Sequence, residues 1–113
     1  MQPTHILVAD DNLDVLFVVA EVLRSAGYHV TEAGTHEQAE AILRESGIDL
    51  LIADSVFRGA QGDSLVCNAG LPVIMMSGDP DRILQSENRP VPFLAKPFNS
   101  ADLLFFVSQT LKG

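Results

Sequence analysis

The sequence predicts an α/β fold, a doubly wound five-stranded parallel sheet in a single domain spanning residues 1–113. Three observations lead there. Short apolar runs alternate with helical patterns along the chain, turn residues separate them, and nearly half of the residues (47%) are apolar, enough to fill one core. Right-handed crossovers between parallel strands leave only a few doubly wound orders, and in these folds function collects beyond the carboxyl ends of the strands.

The elements follow in order. Ile6-Leu7-Val8-Ala9 reads as a buried strand ending in Asp10-Asp11. Residues 13–26 read as a helix stopped by Gly27. Tyr28 to Ala33 is a second strand. Thr35 caps the next helix, with Gln38 completing a capping box and Gly47 closing it. Ile48 to Ala53 is a third strand bounded by Asp54, and Pro72 to Met76 a fourth followed by Ser77-Gly78. A short helix is expected after Pro80, a fifth strand over Val91 to Ala95, and a last helix from Asn99 or Ser100 to about Leu111.

Composition excludes several classes. The net charge of -8, from 15 acidic residues against 7 Lys and Arg, repels phosphate backbones, so nucleic-acid binding is not expected. Cys67 is alone, which suits a reducing compartment. The apolar run after His5 stops at Asp10, too short for a signal peptide or membrane span, and a cytoplasmic protein is expected. His5, His29 and His36 are far apart and fit no ligand spacing, which suggests surface or edge roles.

The chemistry lies at the predicted strand ends. Asp10 and Asp11 follow the first strand, Asp54 the third, Ser77 the fourth and Lys96 the fifth. Carboxylates about 4–6 Å apart destabilise one another unless a positive charge intervenes, and Lys96 offsets one charge only. Mg²⁺ suits the remainder, because it prefers carboxylate oxygens and keeps several waters; a zinc site would want a Cys or His cluster. Such a rim has the parts needed for phosphoryl transfer, which rests on positioning and electrostatics. Asp54 is the candidate nucleophile, Asp10 and Asp11 the metal holders, Lys96 the partner of phosphoryl oxygens and Ser77 a hydrogen-bond donor.

Four segments, Ile6-Leu7-Val8-Ala9-Asp10-Asp11-Asn12, Leu50-Leu51-Ile52-Ala53-Asp54, Val73-Ile74-Met75-Met76-Ser77-Gly78 and Phe93-Leu94-Ala95-Lys96-Pro97-Phe98, resemble the CheY-like receiver domain of response regulators in two-component systems. The resemblance covers essentially the whole chain. It implies a flavodoxin-like strand order 2-1-3-4-5 and Asp54 as phosphoacceptor, charged by a phosphohistidine on a sensor histidine kinase or a histidine phosphotransfer protein. It further implies a Mg²⁺, replaceable by Mn²⁺, held by Asp11, Asp54 and the backbone carbonyl of Val56, with Asp10 acting largely through water. A cis Lys96-Pro97 bond is expected, as is a switch in which Ser77 moves toward the phosphoryl group and Phe93 turns into the space. Val56 and Asp79 stand where the family tunes the acyl-phosphate lifetime. An apolar Val56 cannot orient a water, so slow self-dephosphorylation is expected. No separate turnover substrate is implied.

Two departures stand out. Phe57-Arg58 replaces the family's usual Met-Pro, although Gly62 falls where the loop glycine belongs. Only nine residues, Asp63 to Leu71, separate Gly62 from Pro72, room for about two helical turns, so the third helix is expected to be short.

Surfaces and competing readings complete the expectations. Leu103, Leu104, Val107 and Leu111 form one core-facing stripe, leaving Phe105 or Phe106 near solvent and pointing to a docking or dimer surface. A homodimer through the face of the fourth and fifth predicted helices would use it. The resemblance implies that the start of the first helix receives the kinase or phosphotransfer partner, which makes Val15 and Val18 candidate contacts. Met1 and an end directly after the last helix favour a complete single-domain regulator over a receiver cut from a hybrid kinase. The main alternative is a phosphorylation-independent pseudo-receiver that only binds protein. An Asp-nucleophile phosphatase of the haloacid dehalogenase type fits poorly, because Asp10-Asp11-Asn12 has the wrong carboxylate spacing.

Overall fold

The structure is a computed structural model that describes residues 4–45, 47–54, 72–77, 93–95 and 99–112. Five strands, β1 (His5–Ala9), β2 (His29–Ala33), β3 (Leu50–Asp54), β4 (Val73–Ser77) and β5 (Phe93–Ala95), are interleaved with α1 (Leu13–Ser25), α2 (His36–Arg44) and a C-terminal helix (Ser100–Lys112). The strands pair in parallel in the order β2-β1-β3-β4-β5. This is the order that the receiver resemblance implies.

Alternation along each strand sends side chains to two separate cores. Ile6, Val8, Val30, Leu50, Ile52, Ile74 and Met76 pack under Leu16, Val19, Ala20 and Leu23 of α1 and Leu103 and Val107 of the C-terminal helix. Leu7, Ala9, Ala33, Leu51, Ala53, Val73 and Met75 face the other way, toward Ala39 of α2, with Ile42 and Leu43 packed against them. Covering both faces explains why β1, β3 and β4 are continuous apolar runs.

Local signals set the helix ends. The Asn12 side chain accepts from the backbone N–H groups of Asp14 and Val15, capping α1. At the other end, Gly27 N–H donates to Arg24 O and Tyr28 N–H to Leu23 O, a Schellman closure that needs the positive φ of 96° at Gly27. Tyr28 therefore belongs to the helix cap, and β2 begins one residue later than the sequence predicts. Thr35 caps α2 by accepting from Gln38 N–H, but Gln38 Oε1 accepts from Gly34 N–H, so the capping box closes one residue before the cap itself. Asn99, and not Ser100, caps the C-terminal helix by accepting from Asp102 N–H at 2.8 Å.

The short helix expected between Gly62 and Pro72 and the helix expected after Pro80 lie outside the described residues. Gly27→Ala is expected to lower stability by about 1–2 kcal/mol, since an L side chain disfavours this backbone region. A thermal melt should show the midpoint falling by at least about 4 °C; an unchanged midpoint would contradict the cap.

Candidate acidic site at the carboxyl edge of the sheet

The candidate site is assembled by strand register. Ala9 pairs with Ala53, so the next residue of each strand, Asp10 and Asp54, emerges side by side at the carboxyl edge. Asp10 is held on its other flank, where its N–H donates to Ala33 O of β2 at 3.1 Å. Its carboxylate accepts from Asn12 N–H at 2.9 Å, tightening the β1–α1 turn so that Asp11 faces solvent. Asn12 therefore shapes the turn through its backbone and starts α1 through its side chain.

Carboxylate oxygens of Asp10, Asp11 and Asp54 all lie within 4.8 Å of one another. Asp10 is fully buried and Asp54 is 5% exposed, while Asp11 is open to water. Buried carboxylates crowded together raise the free energy of the fold and create a strong demand for positive charge. The donor set is all oxygen and anionic, with one side open to solvent, which fits a hard divalent cation that retains waters. Among the described residues no other group of three or more His, Cys, Asp or Glu side chains is gathered in this way.

Of the other sequence-predicted site residues, Ser77 ends β4 and pairs in register with Ala95 of β5, the residue before Lys96; Phe93 opens β5 opposite Met75. Lys96, Pro97, Val56 and Asp79 lie outside the described residues, as does Cys67.

The exposed apolar residues differ in part from those expected. Val18 is 57% exposed, but Val15 is half-buried against the core shared by α1 and the C-terminal helix. Leu13 and Phe17, four apart on one side of α1, are the larger exposed groups at 68% and 60%. At about 100° per residue, position 15 falls on the core flank with 19 and 22, whereas 13 and 17 do not. On the C-terminal helix Phe105 is exposed and Phe106 half-buried, meeting edge to face with centroids 6.2 Å apart.

A parallel sheet of this order is the doubly wound, flavodoxin-like arrangement, with its acidic site where such folds place their ligands. A family model for the response regulator receiver domain matches residues 6–108, and the chain belongs to that family. Similar curated proteins include the two-component response regulator ARR11 of Arabidopsis thaliana, 30% identical over 96% of this chain and 22% of that protein. Another is the phosphate regulon transcriptional regulatory protein PhoB of Pseudomonas aeruginosa, 27% identical over 95% of this chain and 51% of that protein. The chain thus spans about half, or less, of the curated relatives it matches. Among solved structures, a CheY-like receiver domain protein from Methanospirillum hungatei JF-1 superposes with a TM-score of 0.86 at 25% identity, covering 98% of this chain and 95% of that one. The receiver domain of the hybrid histidine kinase CckA is 36% identical with a TM-score of 0.79, covering 95% and 98%.

Receiver domains are phosphoacceptors that interact with histidine kinases or phosphotransfer proteins, not enzymes with a separate turnover substrate, and Mg²⁺ and phosphoaspartate are general features of the family. Among the described residues no helix is long and apolar enough to cross a membrane.

Removing one charge from the rim tests the crowding. With metal chelated and salt low, Asp11→Asn should be more stable than the wild type by about 1 kcal/mol, the Coulomb energy of one pair at this spacing in water. About 1 M salt should erase the difference. A variant that is no more stable at low salt would contradict the account.

Proposed function

We propose that the chain is one receiver unit across residues 1–113 in which Asp54 accepts a phosphoryl group from a phosphohistidine on a sensor histidine kinase or phosphotransfer protein in the cytoplasm. The observation that carries this reading is the convergence of Asp10, Asp11 and Asp54 within 4.8 Å at the end of the sheet. In the transfer, the donor's N–P bond breaks and an O–P bond forms on the Asp54 carboxylate, giving an acyl phosphate. Asp54 is suited to this role because β3 is the central strand, with both neighbours holding its backbone still.

Mg²⁺ fits the donor set, and Asp11, Asp54 and the backbone carbonyl of Val56 would hold it, with Asp10 acting through water. When bound, it would neutralise the carboxylates and the charge that develops on the phosphoryl oxygens. Lys96 is assigned to a phosphoryl oxygen and Ser77 to another; Ser77 and Phe93 form the switch. Val56 and Asp79 set the lifetime of the phosphorylated form, with slow self-dephosphorylation expected. The donor is taken up on α1, which starts two residues after Asp11 and exposes Leu13, Phe17 and Val18. Phe105 on the C-terminal helix supplies the dimer face.

Incubation with Mg²⁺ and acetyl phosphate should add the mass of one phosphoryl group to the wild type and none to Asp54→Asn, and chelating the metal should block the gain. No gain in the wild type would favour the pseudo-receiver reading. Phe17→Asp should slow transfer from a cognate phosphohistidine protein about tenfold or more while leaving labelling by acetyl phosphate unchanged. Equal slowing with both donors would remove α1 as the docking helix.

A further inference from the structure

β2 is an edge strand: among the described residues β1 is its one neighbour in the sheet. His29 N–H donates to Thr4 O, and Ala33 O accepts from Asp10 N–H, so His29 and Ala33 turn their backbone groups toward β1. These groups alternate along a strand, and the N–H and C=O of Val30 and Glu32 therefore face the open edge. An open edge is a template for another strand unless something blunts it.

Arg24 lies across this edge. The Schellman closure at Gly27 turns the chain directly from α1 into β2, which brings the last turn of the helix over the strand. Arg24 Nη2 donates to Val30 O at 3.2 Å and pairs with Glu32 Oε2 at 3.0 Å. Its Nη1 lies 3.7 Å from Glu21 Oε1, which steadies the guanidinium from the helix side. One side chain thus engages an outward carbonyl and the carboxylate of the next outward residue. Ion pairs this exposed contribute little to stability, so what matters is the place they occupy.

We propose that Arg24 guards the β2 edge against antiparallel pairing with a second copy of this chain. The occupant follows from register. A twofold axis through Thr31 sets Val30 of one copy opposite Glu32 of the other, so the outward residues of each copy are matched with those of the other and exchange N–H···O bonds. With Arg24 in place, Val30 O already has a donor, and an incoming strand has to displace a charged side chain. The net charge of -8 on each copy repels at longer range, but salt at about 0.15 M screens that field beyond about 8 Å. At contact the barrier is Arg24. The guard is independent of phosphorylation of Asp54.

Sedimentation equilibrium of wild type, Arg24→Met and the double variant Arg24→Met/Glu32→Pro at about 0.15 M salt tests this. Methionine keeps an apolar stem and a good helix former while removing every donor. Glu32→Pro removes an outward N–H and no bond to β1, so it blocks pairing and leaves the ladder whole. Arg24→Met should associate at least about tenfold more tightly than wild type, and the double variant should return to the wild-type level. In the Arg24→Met associate the amides of Val30 and Glu32 should exchange at least about tenfold more slowly than in the dilute variant. Association unchanged by Arg24→Met, association that survives Glu32→Pro, or exchange at Val30 and Glu32 that does not slow would each overturn the guard.

Discussion

Everything in this fold is arranged around the cost of keeping carboxylates together at the end of adjacent parallel strands. Asp10 and Asp54 are buried and neighbouring, and Asp11 sits within reach of both. Burial of ionised groups at this spacing is unfavourable in isolation, so the surrounding structure must be stiff enough to hold it. Two cores supply that stiffness, one on each face of the sheet, and both converge on β1 and β3, whose last residues carry the charge. The Asp10 carboxylate on Asn12 N–H and the Asp10 N–H on Ala33 O fix the rim from within the turn and from the edge strand. A rigid, anionic, water-accessible rim is what a receiver domain needs in order to gather a hard cation and a phosphoryl group.

Much of this was legible in the sequence, for reasons that differ element by element. The strands could be read because a sheet covered on both faces demands unbroken apolar runs, and Leu50-Leu51-Ile52-Ala53 has no other use in a chain with this charge. The carboxylates could be read because each follows such a run directly. Boundaries shifted where a residue served two elements. Tyr28 continues the apolar run of β2 but is spent on closing α1, and Asp49 precedes β3 because its side chain is bonded to the His5 N–H. The docking face of α1 was only partly visible: the helix is apolar nearly all round, and the choice between Val15 and Leu13 or Phe17 depends on where the C-terminal helix lies. His5 and His29, 24 positions apart, meet only through strand register, so no local pattern announces their stacking.

The relatives bear on how far the reading extends. The fold, the sheet order and the family are common ground with solved receivers at 25% and 36% identity. The curated regulators are longer proteins, of which this chain matches about half or less. What is shared is the receiver fold.

The most direct measurement of the central claim is a Mg²⁺ titration followed by amide NMR on the isotopically labelled wild-type chain. Saturable shifts concentrated at Asp10, Asp11, Asn12 and Asp54, absent from Asp11→Asn at the same concentrations, are the predicted result. Shifts spread evenly over the acidic surface, or confined to residues remote from the carboxyl edge, would contradict it.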